Sequence, residues 1–178
     1  MKAQLVLACF VLAAPALVKA EDPPPCPLHA QHQQEAQSPG HDHHAGVDAR
    51  GDKVMGFEHT RTTHHFLLKP DGGVIQVEAK DLADRESIVK TRHHLADIAE
   101  KFTAGDFSMP FAIHDRVLPG VPEMTRLKGE LRFRYEETER GARVHIATES
   151  PEAREAVHAF LRAQIEDHRT GDPLTPTP

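Results

Sequence analysis

Two stretches of this chain repeat one pattern, and this repeat restricts the fold more than any other feature of the sequence. The first copy covers residues 63–106 and the second covers residues 130–172. Each reads as a strand, a turn that contains glycine, a second strand and a helix, and each ends in Gly-Asp. The identity between the copies is low, but the shared pattern predicts two ββα units.

The ends of the predicted helices carry the residues that helix termini require. Asp84 and Ser150 precede the helices and are predicted N-caps, since their side chains can accept hydrogen bonds from the first free backbone N–H groups. Gly105 and Gly171 follow the helices and are predicted to end them in a left-handed conformation. In the connection between the units, Phe111–His114 is predicted to form a short strand.

Neither unit can cover its own apolar face, because one hairpin and one helix do not enclose a core. Two units together can pair their strands into a four-stranded antiparallel sheet with both helices packed on one face. We therefore predict an α+β fold, with a single domain over residues 53–172 and a further edge strand over Val54–Phe57. The order of the strands does not follow from the sequence.

The segments beside this domain have a different composition. Residues 21–52 are rich in Pro, Gln, His, Gly and Asp and contain almost no large apolar side chain, and the tail over residues 173–178 is similar. Such segments bury too little surface to offset the entropy lost on ordering, so both are predicted to be disordered.

The N-terminus has the pattern of a cleavable secretion signal. Lys2 precedes an apolar run over Leu5–Ala14, and Val18 and Ala20 are the small residues that a signal peptidase recognises, with cleavage after Ala20. The run is shorter than the roughly 20 residues that a membrane-spanning helix needs. A lipoprotein signal ending at Cys9 is an alternative, but it lies too close to the N-terminus. The pattern predicts a secreted or periplasmic protein.

The charges and the cysteines exclude several kinds of protein. The net charge is −6, with both signs interspersed, which predicts no nucleic-acid binding and no membrane insertion after cleavage. Cleavage leaves Cys26 as the only cysteine, so no internal disulfide can form. Cys26 could link two chains, bind a metal ion or remain free.

Histidine is over-represented, with 14 residues in 178, and the histidines form two groups. The first group lies in the segment before the domain, at His41, His43 and His44. Neutral imidazoles suit Zn, Cu and Ni, so this group could capture such ions weakly. The alternative is a solvated linker in which histidine only adds polarity.

The second group lies in the domain, where two histidines occupy positions typical of core residues. His64 shares a strand face with Phe66, and His94 lies on the inner face of the first helix. The second unit has Leu131 and Phe160 at the corresponding positions. Imidazoles thus replace core side chains in one unit only.

This asymmetry predicts a zinc or copper site built from histidines of the domain, and haem is a further cofactor that the histidines do not exclude. The candidate ligands are His59, His64, His65, His94, His114 and His158. Two alternatives stay open. One is a module that binds a small ligand or a protein, with structural histidines; the other is a metal-dependent enzyme of unknown reaction. No HExxH, CxxC, CxxCH or GxSxG motif is present in the sequence.

The sequence also resembles a group of exported, His-rich bacterial proteins to which no activity is assigned. The likeness covers roughly residues 47–173, and its most distinctive segments are TTHHF (62–66) and FLRxQIxxHxTGD (160–172). The resemblance implies a bacterial origin and a single domain, and it supplies no mechanism.

Overall fold

The structure is a computed structural model that describes residues 39–178, with side chains from His43 onward. The predicted signal sequence, the alternative lipobox and Cys26 lie outside these residues. Along the described chain the elements are α1 Pro39–Met55, β1 Thr62–Lys69, β2 Gly72–Ala79, α2 Arg85–Ala104, α3 Ser108–His114, α4 Val121–Arg126, β3 Arg132–Glu137, β4 Gly141–Ala147 and α5 Pro151–His168. None of these helices is long and apolar enough to cross a membrane.

The four strands form one antiparallel sheet in the order β1-β2-β4-β3, which confirms the predicted α+β class and the four-stranded sheet. The hairpins β1-β2 and β3-β4 join through their second strands. At this junction Ile75 of β2 lies opposite Val144 of β4. The sequence repeat aligns the same two residues, so the two units are related by an approximate two-fold axis that passes near this pair.

Each long helix lies over the strands of the other unit. Helix α2 packs mainly on β3 and β4, whereas α5 packs on β1 and β2. The ring of Phe102 in α2 contacts Phe133 of β3 and Phe160 of α5, with ring centroids 5.8 and 5.9 Å apart. The core is therefore shared between the units, because each helix packs mainly on the hairpin of the other unit.

Most of the predicted helix ends are confirmed. The side chain of Asp84 accepts a hydrogen bond from the backbone N–H of Ser87, and Ser150 accepts one from Ala153. Gly105 ends α2 with a φ of 80°, in the left-handed region that favours glycine. Gly171 has the predicted left-handed conformation, with a φ of 75°, but its predicted place at the helix end is wrong, since α5 ends earlier, at Arg169, which itself has a φ of 51°.

Helix α1 corrects the prediction that the segment 21–52 is disordered, because residues 39–52 are helical. The helix has little apolar surface, but Val47, Gly51 and Met55 lie four residues apart and are all buried. This narrow stripe packs against α3 and α5. A composition average overlooks such a stripe, because two large apolar side chains and one glycine form all of it.

Two short predicted strands are also wrong. Val54 and Met55 are the last residues of α1 and lead into a bend at Gly56 and Phe57, so no edge strand forms there. Phe111–His114 belongs to helix α3. Short apolar runs occur both in strands and in helix turns, so tertiary packing decides which structure they adopt.

The predicted disordered tail is instead ordered along the free edge of β1. The backbone N–H of Thr177 donates to the carbonyl of Leu68, and Lys69 Nζ donates to the carbonyl of Pro178 at 2.8 Å. Before them, the carboxylate of Asp172 accepts from the backbone N–H of Phe66. The tail occupies edge groups that could otherwise pair with another chain.

Candidate functional site

A small cavity lies in the core between the sheet and helices α2, α3 and α5. Its volume is about 40 Å³, enough for an ion or a few water molecules. The cavity is lined by Met55, His64, Phe66, Ile75, Val77, His94, Leu95, Ile98, Phe102, Pro110, Ile113, His114, Phe160, Gln164 and His168. Four histidines therefore meet in an otherwise mostly apolar space.

Different elements bring these four histidines together. His64 comes from β1 and His94 from the middle of α2, while His114 and His168 are the last residues of α3 and α5. The rings of His64 and His168 have centroids 5.7 Å apart and nearly parallel planes. The ring of His114 is perpendicular to that of His168, with centroids 5.1 Å apart.

Phe57, two residues after the end of α1, lies beside two of the cavity histidines. Its ring lies against His64 and His94, with centroid distances of 6.3 and 5.8 Å. The same residue lines a polar surface cleft together with Asp52, Glu58 and other residues. One aromatic ring thus stands between this cleft and two of the histidines.

Burial keeps three of the imidazoles neutral at pH 7. Desolvation, followed by the nearby His168 and His94, lowers the pKa of His64 from 6.5 to about 3. Desolvation also lowers the pKa of His94 and of His168 to about 4, against an opposing effect of Asp97 and Asp167 respectively. A neutral imidazole has one nitrogen with a free lone pair, which is the form that binds metal ions.

His64 has a buried nitrogen without a partner. Its Nε2 atom makes no hydrogen bond within the described chain and has no contact with solvent. An unsatisfied buried polar atom costs about 1–3 kcal/mol, and such atoms are rare in native structures. The apolar residue at the corresponding place in the other unit, Leu131, has no such cost. Packing alone therefore does not explain the presence of a histidine at position 64.

We expect the substitution His64→Phe to leave the free energy of unfolding at pH 7.5 unchanged or to raise it by about 1 kcal/mol. The phenyl ring removes the unsatisfied nitrogen, and the adjoining cavity accommodates its extra volume. Urea denaturation of the metal-free protein measures the effect, with exposed His93→Phe as the matched control on α2. A loss of 2 kcal/mol or more, on the order of a lost buried hydrogen bond, would show that the His64 ring is structural.

His114 lines the cavity, but both of its ring nitrogens are already engaged. Nδ1 lies 2.7 Å from a carboxylate oxygen of Asp167, and Nε2 lies 3.0 Å from the side-chain amide of Gln164. Asp167 is itself buried and accepts two hydrogen bonds from Arg116. Burial raises the pKa of Asp167, but the bonds from Arg116 and His114 outweigh this and hold the pKa below its ordinary value. His114 thus stabilises the wall of the cavity, and neither of its ring nitrogens is free to bind a metal ion.

The histidines before the domain contact the same carboxylate. His43 Nε2 lies 3.3 Å from a side-chain oxygen of Asp167, and His44 Nδ1 lies 3.0 Å from its backbone carbonyl. These contacts contradict the prediction that His43 and His44 lie in a disordered segment, because both residues belong to α1 and contact the end of α5. The side chain of His41 lies outside the described part. Weak capture of ions by this group stays a prediction.

The other predicted ligands do not reach the cavity. His158 Nε2 lies 2.9 and 3.0 Å from the carbonyls of Lys69 and Gly72, so it fastens α5 to the turn between β1 and β2. His65 lies on the opposite face of β1 from His64, with Nδ1 2.9 Å from Asp172. His59 lies at the surface beside Asp52. Of the six predicted ligands, His64, His94 and His114 line the cavity.

His168 lines the cavity but was not among the ligands predicted from the sequence. It follows Leu161, Gln164 and Ile165 by seven, four and three residues, and all three are buried. This spacing places His168 on the inner face of α5, and the spacing was readable from the sequence. His168 was overlooked because it lies at the very end of the helix.

The two distinctive segments, TTHHF and FLRxQIxxHxTGD, contact each other in the structure. His64 and Phe66 lie against the ring of His168, and Asp172 bonds to His65 and to the backbone of Phe66. The two segments therefore pack together, with one side facing the cavity and the other side forming the edge of the sheet.

The described residues include no group of three His, Cys, Asp or Glu side chains already placed to hold one ion. An ion in the cavity would require small rotations of the imidazole rings. A haem does not fit, since the volume of about 40 Å³ is far below that of the macrocycle. Comparison of the chain with protein-family models, with curated proteins and with solved structures found no match.

Proposed function

We propose that this protein is an exported binding protein for a transition-metal ion, which it holds in the core cavity through His64, His94 and His168. The observation that carries the proposal is the buried Nε2 of His64, which has no hydrogen-bond partner among residues 39–178, beside two further neutral imidazoles. Export rests on the N-terminal sequence pattern alone. Capture outside the cytoplasm agrees with a site made of nitrogen ligands, which oxidation does not destroy as it does thiolates.

The spacing of the rings agrees with shared ligation. A metal–nitrogen distance of about 2.0 Å, with the ring centre roughly 1.2 Å further away, puts two imidazoles on one tetrahedral ion about 5 Å apart between centroids. With the same bond lengths, two imidazoles on opposite sides of one ion have ring centroids roughly 6.4 Å apart. The His64–His168 distance of 5.7 Å lies between these values. Shared ligation also requires the rings to reorient, since no preformed set of ligands is present among the described residues.

The cavity favours an ion over an organic ligand. Its volume of about 40 Å³ leaves no room for a molecule of the size that usual ligand pockets take, which are about 300–1,000 Å³. A catalytic role would need room for a substrate beside the ion, and a volume of about 40 Å³ does not provide it. Binding or storage of an ion is therefore the function that these observations support best.

Titration of tag-free protein that begins at Glu21 tests the proposal, with Zn²⁺ and, under anaerobic reducing conditions, Cu(I) as probes in an isothermal calorimeter. We expect one tight site per chain, at least about 100-fold weaker in His64→Phe and in His168→Phe because each removes a ligand. At a free ion concentration of 100 times Kd, binding should also raise the free energy of unfolding by about 2.7 kcal/mol.

The exposed variant His93→Phe is the matched control and should keep the tight site. Additional weak binding to surface histidines should be the same in all four proteins. Identical isotherms for the wild-type chain and the two cavity variants would refute the cavity as a metal site. Unchanged melting temperatures with EDTA and with both ions would instead favour a binding module without metal.

A further inference from the structure

Met55 is the one sulfur-containing residue in the lining of the cavity. It is the last residue of α1 and is 8% exposed, and it completes the buried stripe that begins at Val47. Its methyl group lies close to Gly51 of the same helix. A thioether is a soft ligand, unlike an imidazole, and soft sulfur ligands select Cu(I).

The charge around the cavity limits which ion can be stable there. The described residues that line it include no carboxylate and no cationic side chain other than histidine. The nearest carboxylate on α5, Asp167, is already compensated by Arg116 and bonded to His114. An ion in the cavity would therefore keep its charge uncompensated in an apolar space.

This environment favours a singly charged ion. The cost of burying an ion without a counter-charge rises with the square of its charge, so a monovalent ion carries about a quarter of the cost of a divalent one. Zn²⁺ sites in proteins usually include thiolates or carboxylates that lower this cost, and neither group lines this cavity.

We propose that the ion is Cu(I), bound by the imidazoles of His64 and His168 together with the thioether of Met55. Cu(I) is stable with two or three ligands, and its preference for sulfur and imidazole matches this set. His94 also lines the cavity and is the further imidazole available to complete the coordination. This inference rests on the proposed function, since it names the ion that the cavity takes.

The test compares affinities for Cu(I) and Zn²⁺ in Met55→Leu and in the wild-type chain. Cu(I) is kept reduced by ascorbate without oxygen and is competed against a chromophoric Cu(I) chelator, and Zn²⁺ is competed against a Zn²⁺ dye. We expect Met55→Leu to weaken Cu(I) binding by about tenfold or more and to change Zn²⁺ binding less than about twofold, since only Cu(I) depends on sulfur. X-ray absorption should show a sulfur neighbour of copper that is lost in this variant.

Met124→Leu is the matched control, because Met124 is fully buried but lies outside the cavity. Both substitutions conserve volume and should cost less than about 1.5 kcal/mol of stability, which urea denaturation checks. Equal Cu(I) affinity in Met55→Leu and wild type, or tighter binding of Zn²⁺ than of Cu(I), would overturn the inference but leave the metal site standing. The metal site would stand without Met55 if His64→Phe abolished metal binding while Met55→Leu left Cu(I) affinity unchanged. If neither ion binds, the proposed function fails as well.

Discussion

Lowering the pH from 7.5 to 5 is expected to reduce the free energy of unfolding of the metal-free protein by about 6 kcal/mol. The cause is the set of three neutral cavity imidazoles at His64, His94 and His168, of which His94 is buried and the other two are half-buried. Their pKa values of about 3, 4 and 4 in the folded protein lie well below the ordinary value of 6.5 that applies to the unfolded chain.

The sign of the effect follows from which state binds more protons. Between pH 6.5 and about 4 the unfolded chain protonates these histidines, whereas the folded protein does not. Protonation therefore draws the equilibrium toward unfolding, and stability is complete only above pH 6.5. At pH 5 each histidine contributes roughly 2 kcal/mol, since one pKa unit corresponds to about 1.4 kcal/mol. Domains are stable by only about 5–15 kcal/mol, so the protein should be close to unfolding at pH 5.

Urea denaturation at several pH values, in the presence of EDTA, measures this dependence. Phe at position 64 cannot be protonated, so His64→Phe should lose about one third of the pH dependence. The exposed variant His93→Phe should leave it unchanged. A free energy of unfolding that stays constant between pH 7.5 and 5 in the wild-type chain would mean that the cavity histidines are accessible to protons in the folded state.

The substitution Asp167→Ala is expected to lower the free energy of unfolding by about 3 kcal/mol. Asp167 is buried and joins three parts of the molecule. Its side chain bonds to His114 at the end of α3, to Arg116 in the following loop and to His43 of α1. Removal of the carboxylate leaves the fully buried Nδ1 of His114 without its partner. It also releases α1, which has little apolar surface of its own.

Glu166→Ala is the matched control, because Glu166 is the preceding residue on α5 and is exposed. It should change stability by less than about 0.5 kcal/mol. Hydrogen exchange should show faster exchange of the α1 amides in Asp167→Ala than in the control. Equal stability of the two variants would show that the side chain of Asp167 is not needed to hold α1 in place.

The parts of the fold that the sequence predicted are those in which local pattern and tertiary packing agree. Alternating apolar residues and turn sequences predicted both hairpins, and side-chain capping at Asp84 and Ser150 marked the starts of both long helices. Helix α1 and the tail could not be predicted in this way. The tail is held by distant polar contacts, such as that of Thr177 with Leu68, which leave no periodic trace in the sequence. The apolar stripe of α1 is periodic, but it contains only two large apolar side chains, Val47 and Met55.

The sequence predicted only part of the candidate site, namely the residues that the repeat pattern singles out. His64 and His94 stood out because the repeat places apolar residues at the equivalent positions. No such comparison was available for Met55, which lies outside the repeat. The roles of His158 and His65 depend on single backbone and carboxylate partners that only the three-dimensional structure brings near. A surplus of histidine thus indicated the kind of chemistry but did not separate ligands from structural residues.

The crossing of the two long helices has a consequence for how such a chain could arise. If one ancestral ββα unit was duplicated, that unit could have folded only as a symmetric homodimer, with β2 paired to its own copy across the axis near Ile75 and Val144. In a homodimer every substitution appears twice, so a histidine in the core would be matched by a second one across the axis. Fusion of the two halves removed that constraint. One half could then acquire His64 and His94 while the other kept Leu131 and Phe160 to hold the shared core together.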